Sequence, residues 1–413
     1  MPHLRRSFIA PKVGIVQSTT AFLQISSNLP FIPYTFYGMH TTLTARRLLT
    51  PLGQIDHPVI TLTPDGLIDD ISSDPSIRSE DTLTPTFLDI HTHGCANHDV
   101  MQATPTGFPA IHAFLASKGV GQYLPTTVTA PIDQTLHSLE SIANAIESPA
   151  TPGHATPIGI HLEGPFISHA KRGVHPPADI QPPSIELFQR FQQAARGHIR
   201  LITIAPETAG ALDLIRYATQ SCIRVSLGHS NATAPEAIAA IAAGATSATH
   251  TFNAMRPLDH RDPGILGTVL DNDSLFAELI CDGIHVAPEL IRLWLRTKGP
   301  DRAILVTDSI SATGMPDGTY ALGNLTVQVA NNTCLLQGTH TLAGSVLTMD
   351  RAVANLQLYT GATLATAVRL ASHNPATLLG LPTTITPGQP ANFNRFSPDG
   401  RLLSTILHGQ PTP

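Results

Sequence analysis

Charge is scarce in this sequence. Only 13% of its 413 residues are Asp, Glu, Lys or Arg, and the net charge is -6. Such a chain has no general attraction for nucleic acid or for an anionic membrane surface. With 42% hydrophobic residues, the composition favours a large buried core over disorder. Cysteine is equally sparse. Cys95, Cys222, Cys281 and Cys334 are scattered and form no C-x-x-C pair, which speaks against a disulfide framework or a cysteine zinc site and fits a reducing, cytoplasmic setting. There is no run of about 18 apolar residues to span a bilayer. Neither G-x-x-x-x-G-K-[ST] nor G-x-G-x-x-G in a strand–turn–helix context occurs, so nucleotide binding has no support.

Histidine, in contrast, is abundant. The chain has 20 of them against 24 Lys plus Arg, which directs attention to metal or acid–base chemistry. The first 38 residues stand apart, with Arg5, Arg6 and Lys12, many Ser and Thr, and no acidic residue. They lack the compact apolar segment and small-residue cleavage site of a signal peptide. We read them as an extension without fixed structure ahead of an expected start at Met39.

From residue 39 to 85, alternating runs such as Val59-Ile-Thr-Leu-Thr and the turn signal Pro64-Asp-Gly predict a small β module. From residue 86 the rhythm changes to apolar strand-like runs alternating with helix-like ones. Strands are expected at Phe87-Leu-Asp-Ile and at 121–129, 158–163, 199–204, 222–227, 246–250, 275–281 and 303–307. Helices are expected over 132–146, 184–196, 209–219, 234–243, 288–297 and 349–359. About eight strand–helix units imply a parallel sheet closed into a (β/α)8 barrel. Runs at 386–393 and 402–407 read as strands returning to pair with the N-terminal module. The expected division is therefore a small β domain from 39–85 with 374–413, and a barrel from 86–373.

Polar residues follow the apolar runs at the positions where such a barrel places its active site, the C-terminal strand ends. His91 and His93 in Asp89-Ile-His-Thr-His-Gly94 lie two apart, so on a strand they share a face. Neutral imidazoles there suit zinc or another borderline divalent metal. Glu163, in His161-Leu-Glu-Gly-Pro165, ends another apolar run; a buried carboxylate needs a partner, and a metal supplies one better than a salt bridge, the alternative. His229 and His250 end two more such runs, and the convergence of four His and one Glu points to a metal site. Asp308, in Ile304-Leu-Val-Thr-Asp308, can ligate weakly and take a proton from metal-activated water. Its alternative as a helix cap is weakened because Gly314-Met-Pro-Asp-Gly follows too soon. His175 and His285 lie on loops after strands and suit oxyanion stabilisation and substrate binding, or are plain surface histidines. Arg261 lies just beyond the His250 strand and offers a fork for phosphate or carboxylate.

Taken in order, these motifs resemble a known family. Asp89-Ile-His-Thr-His-Gly94 is similar to the first-strand signature of the amidohydrolase superfamily. His161-Leu-Glu-Gly-Pro-Phe166, Gly173-Val-His175, Gly228-His-Ser-Asn-Ala-Thr233, Thr249-His-Thr-Phe-Asn-Ala-Met255, Asp282-Gly-Ile-His285, Thr307-Asp308 and Leu342-Ala-Gly-Ser-Val-Leu-Thr-Met-Asp350 resemble the N-acetylglucosamine-6-phosphate deacetylases. The resemblance covers nearly everything from Met39 onward. It implies a TIM-like barrel of the metal-dependent amidohydrolase type, a small β-sandwich built from both chain ends, and a homodimer. It implies one or two divalent metals per subunit, zinc first and otherwise iron, cobalt or manganese. Glu163, His229 and His250 would hold the principal metal, and His91 and His93 a second. Asp308 would be the catalytic acid and base, and His175 the group that polarises the acetyl carbonyl. Asn253, Ala254 and His285 match sugar-phosphate positions, and Arg261 matches an arginine reaching the phosphate of the neighbouring subunit. The implied reaction is hydrolysis of N-acetylglucosamine 6-phosphate to glucosamine 6-phosphate and acetate. Another epimer, or a non-catalytic sugar-phosphate sensor, are the alternatives. Ser309, where the family usually has Ala, and Asn392, in place of a usual Asp, depart from the pattern.

Overall fold

A computed structural model describes residues 41–412, apart from Ala103, Pro105 and Asn324. The expectations for residues 1–38 and Met39 lie outside the described residues. Eight strands, Phe87–Thr92, Val120–Thr127, Ile160–Glu163, Ile199–Ile204, Arg224–Leu227, Ser247–Ala248, Phe276–Ile280 and Ala303–Val306, pair in parallel, each with the next. The ring closes just past the last strand. The Asp308 N–H donates to His91 O at 2.8 Å and the His93 N–H to Ser309 O at 2.7 Å. The Ser309 hydroxyl lies 2.8 Å from Thr92 Oγ1 and donates to Gly94 O at 3.0 Å, so the serine that departs from the family pattern ties this seam. The strands read as nearly unbroken apolar runs because both faces are covered, by helices outside and by the packed interior within.

The expected helices are present as Ile132–Glu147, Ile185–Ala194, Ala211–Gln220, Ala234–Ala243, Pro288–Arg302 and Met349–Thr360. Local chemistry sets their ends. Ser184 Oγ accepts from Leu187 N–H; Thr233 and Glu236 form a reciprocal capping box; and Gly244, at φ 119°, ends the helix that follows. The 246–250 strand contracts to Ser247–Ala248 because His250 already turns to φ 28°, a conformation no strand continues through.

Two helices beyond the expected six, Gly107–Ser117 and Gly264–Asp271, lie between barrel strands, and two further parts differ from expectation. A three-stranded antiparallel sheet, Gly318–Leu322, Leu325–Ala330 and Thr333–Leu336, is inserted after the eighth barrel strand. It buries its own small cluster around Ile310, Leu322, Val327 and Val329. Residues 374–379, expected with the small β domain, are helical and end a continuous run from Leu364 that includes a π-helical turn, Arg369–His373. The reason is packing. Leu370, Ala371 and Leu378 join the barrel core, and Asn374 Nδ2 donates to Pro300 O and Ala303 O. Residues 386–392 form turns, and the returning strand starts only at Phe393.

The two chain ends meet as expected. Thr41–Thr44, Pro58–Leu62 and Ile68–Ser73 form one sheet. Phe393–Phe396 and Leu402–Leu407 join Thr82–Pro85 and Arg47–Thr50 in another. Leu43, Ile60 and Ile68 of the first pack with Leu48, Leu83, Phe393 and Ile406 of the second, which makes a β-sandwich. Asn392 accepts from His408 N–H there.

One half-buried histidine gives the barrel core a pH dependence. His112, beside the Tyr123 ring at 5.8 Å, has its Nε2 buried without a partner, and burial lowers its pKa to about 4. In the unfolded chain it would protonate below about 6.5. Between those values the unfolded state binds more protons, so stability falls as pH drops from 6.5 to 4, by at most about 3 kcal/mol. Urea midpoints at pH 7 and pH 5 should differ less for His112→Phe than for the wild type; an equal difference in both proteins would refute this.

Candidate active site

The C-terminal strand ends converge on one buried cluster. Glu163, at the end of the third barrel strand, is 2% exposed, and His91 on the first is fully buried. The Glu163 carboxylate divides the cluster. Its Oε1 lies 3.3 Å from His229 Nε2 and 3.1 Å from His250 Nε2. Its Oε2 lies 3.4 Å from His91 Nε2 and 3.2 Å from His93 Nε2. Asp308 Oδ1 completes the second side, 3.1 Å from His93 Nε2 and 3.6 Å from His91 Nε2. Two groups with metal-ligand spacing result, Glu163–His229–His250 and His91–His93–Asp308.

The donors fit a cation. His93 Nδ1 meets Thr126 O at 2.9 Å and His229 Nδ1 meets Lys171 O at 2.9 Å. A carbonyl only accepts, so each Nδ1 carries the proton and each Nε2 presents a lone pair to the carboxylates. Facing lone pairs and carboxylates at these distances repel unless a positive charge lies between them. His91 Nε2 is buried and has no hydrogen-bond partner. Without a metal, protons are drawn in instead. Burial works against protonation, but the hydrogen bonds and charge of Asp308 and Glu163 raise His93 to about 9. Burial likewise opposes the ionised Asp308, yet His91 and His93 hold its carboxyl below the ordinary range.

Backbone strain accompanies the cluster. His229, His250 and Asp308 adopt φ of 46°, 28° and 50°, a region that costs a non-glycine residue roughly 1–3 kcal/mol. Each lies where its strand ends and the chain must turn the side chain inward. The surrounding bonds over-determine the turn: Ser345 N–H donates to Asp308 O at 2.8 Å and Ser168 N–H to His229 O at 2.9 Å.

His175 joins the cluster from a loop. Its Nδ1 accepts from the Thr129 backbone N–H at 3.2 Å and lies 2.8 Å from Thr129 Oγ1. Nδ1 is therefore the acceptor, and the proton sits on Nε2, 3.9 Å from Glu163 Oε2. Burial first, and then the charge of His229, lower its pKa to about 3, so the ring stays neutral and offers one N–H donor. Gly164 keeps this support close, since a Cβ there would lie 2.1 Å from Thr129 Oγ1. His285 is backed by Asp282, whose Oδ2 is 2.7 Å from its Nδ1, and the Asp282 Oδ1 accepts the Ile284 and His285 N–H groups.

A cavity of about 330 Å³ opens over the cluster, lined by His175, Asn253, Ala254, His285 and Asp308, with Leu322 from the inserted sheet and Leu342 beyond it. Every expected site residue except Arg261 thus borders this cavity or the metal groups. Arg261 is exposed on its loop, its N–H bonded to Asp259 Oδ1, and does not line the cavity of its own chain. His161, next to the motif glutamate, is a satisfied interior histidine, bonded to Ile90 O and Thr203 Oγ1. Sequence reading missed three contributors: Thr129, the inserted sheet and Glu278. Only the last left a signal, a charged residue inside the apolar run Phe276–Ile280.

A (β/α)8 barrel with a carboxylate shared between two histidine groups at its strand ends defines the class, a metal-dependent hydrolase. The model of the amidohydrolase family matches residues 82–412. The chain is 38% identical over 346 residues to N-acetylgalactosamine-6-phosphate deacetylase of Escherichia coli O157:H7, covering 83% of this chain and 90% of that protein. It is 35% identical over 364 residues to N-acetylglucosamine-6-phosphate deacetylase of Bacillus subtilis (strain 168), covering 87% and 91%. The solved N-acetyl-D-glucosamine-6-phosphate deacetylase of Mycobacterium smegmatis, a mutant in complex with N-acetyl-D-glucosamine-6-phosphate, superposes with a TM-score of 0.85 at 32% identity, over 91% of this chain and all of that one. The chain belongs to the amidohydrolase family, among the N-acetylglucosamine-6-phosphate deacetylases.

Proposed function

We propose that this protein removes the acetyl group from N-acetyl-D-glucosamine 6-phosphate, giving D-glucosamine 6-phosphate and acetate, in amino-sugar catabolism or cell-wall sugar recycling. The observation that carries the reading is the shared Glu163 carboxylate with Asp308 and His175 around one cavity. Glu163, His229 and His250 would hold the principal divalent metal, and His91, His93 and Asp308 a second. Zinc is favoured by the nitrogen-rich donors, ahead of iron, cobalt or manganese. When bound, the metal supplies Lewis acidity and a hydroxide at neutral pH.

The chain's own groups do the rest. The His175 Nε2–H, fixed by Thr129, donates to the amide oxygen and stays with it as negative charge develops there. Asp308 takes the proton of the attacking water and returns it to the leaving nitrogen, which departs as the free amine. Asn253, Ala254 and His285 border the cavity and would bind the sugar phosphate. His175→Ala should lower kcat by about 10²–10³-fold while elemental analysis still finds the wild-type metal content. Unchanged kcat would remove His175 from the reaction.

Acetate release from the 6-phosphates of N-acetylglucosamine and N-acetylgalactosamine, and from unphosphorylated N-acetylglucosamine, tests the substrate. The glucosamine phosphate should be turned over best, and failure to release acetate with metal supplied would refute the assignment. The galactosamine epimer is the second reading, favoured by the 38% identity to a deacetylase of that sugar. The exposed Arg261 supports an arrangement in which two copies pair and each arginine serves its neighbour's phosphate; a chain that runs as a monomer in solution would remove it. The described cysteines are all free, which supports a cytoplasmic location; fractionation of native cells tests that.

A further inference from the structure

Beneath the metal groups, one buried carboxylate has no part in the chemistry above. Glu278 sits in the middle of the seventh barrel strand and is fully buried. Its Oε2 lies 3.2 Å from His91 Nδ1 and accepts the His250 backbone N–H at 3.3 Å. Its Oε1 is buried without a partner. Among the described residues, the only ionisable side chain within ion-pair distance of this carboxylate is the His91 imidazole.

The four candidate histidine ligands are not supported alike. His93 and His229 lean on the backbone carbonyls of Thr126 and Lys171, and His250 Nδ1 is buried with no partner. His91 alone is backed by a carboxylate. A carboxylate behind a ligand imidazole holds the proton on Nδ1, fixes the ring and makes Nε2 a stronger donor. A buried carboxylate with one oxygen unbonded and no cation beside it is costly as a purely structural device. A divalent ion one imidazole away would offset that cost.

We propose that Glu278 is a positioning residue that aims His91 and supplies the negative charge by which the His91–His93–Asp308 group retains its metal. The inference rests on the two-group metal reading above and assigns to one interior residue the control of the second metal. The His250 contact involves a backbone amide rather than the ligating ring, so the effect concentrates on the His91 group. Glu278 does not line the cavity. Its mark is therefore the occupancy of one metal group, not the course of the reaction.

Metal counts and chelator-competition constants for wild type, Glu278→Gln and Glu278→Ala test this, with Co(II) absorption as a second readout. Wild type is measured first. A single equivalent there refutes the two-group reading, and the inference with it, before any variant is considered. Given two equivalents, Glu278→Gln, which keeps an acceptor but loses the charge, should weaken the weaker equivalent about 10-fold, and Glu278→Ala by about 10–100-fold. The tighter equivalent should change by less than about threefold, and in a His91→Ala background Glu278→Gln should leave the remaining metal unchanged. Equal weakening of both equivalents, or an undiminished effect in that background, would overturn the proposal. If Glu278→Ala does not fold, the isosteric Gln variant decides.

Discussion

Asp308→Asn should lower turnover of N-acetylglucosamine 6-phosphate by about 10³-fold, the scale of a lost general acid–base group, while one metal equivalent or more remains bound. The amide has the volume of the carboxylate but can neither take the proton of the attacking water nor return it to the leaving nitrogen. It also removes the negative charge that faces His93 at 3.1 Å, so the His91–His93 group should lose affinity while the Glu163–His229–His250 group is spared. The backbone at Asp308 is strained at φ 50°, a conformation asparagine tolerates as well as aspartate, so folding should survive. Stopped-flow acetate release with metal analysis of the same sample checks both halves. Near-normal turnover with metal present would refute the role given to Asp308.

The second large effect concerns the shared carboxylate. Glu163→Ala should empty the Glu163–His229–His250 group, weaken the His91–His93–Asp308 group and abolish detectable acetate release, because one side chain faces every candidate ligand histidine within 3.4 Å. The His91→Ala, His93→Ala double variant should instead lose about one equivalent and keep the other, since His229 and His250 with Glu163 still form a three-ligand set. Elemental analysis after dialysis, with circular dichroism to confirm folding, separates the two outcomes. If the double variant loses all metal, the principal group has been assigned to the wrong residues. If Glu163→Ala retains two equivalents, the carboxylate is not shared.

Much of this protein follows from its sequence by itself. The eight barrel strands and six of the helices are legible because a sheet covered on both faces must be written in apolar runs, and the helices between them in amphipathic ones. His91, His93, Glu163, His229, His250 and Asp308 stand out because each breaks such a run at its end, where only a barrel's C-terminal rim gives a polar residue a use. The inserted sheet at 318–336 was not legible, since its short alternating strands pack on a small cluster of their own rather than on the barrel. The helix through Leu379 belongs with the barrel rather than with the small β domain for a related reason: its apolar face is defined by the barrel it covers.

The division of the metal residues is implied by the family resemblance, but only the tertiary structure shows that one carboxylate faces both groups. Spacing along the chain does not say that Glu163 points one oxygen at His229 and His250 and the other at His91 and His93, because that depends on where four different strands end in space. Nor does it say which ring nitrogen carries a proton. Thr129, Lys171 O and Thr126 O fix those tautomers from 33 to 58 residues away. Glu278 belongs to the same class, a buried charge whose meaning depends on the imidazole it meets across the barrel. Sequence patterns record burial and periodicity, which are local consequences of the solvent. Hydrogen-bond direction and charge pairing are properties of distances between strands, and those exist only once the barrel has closed.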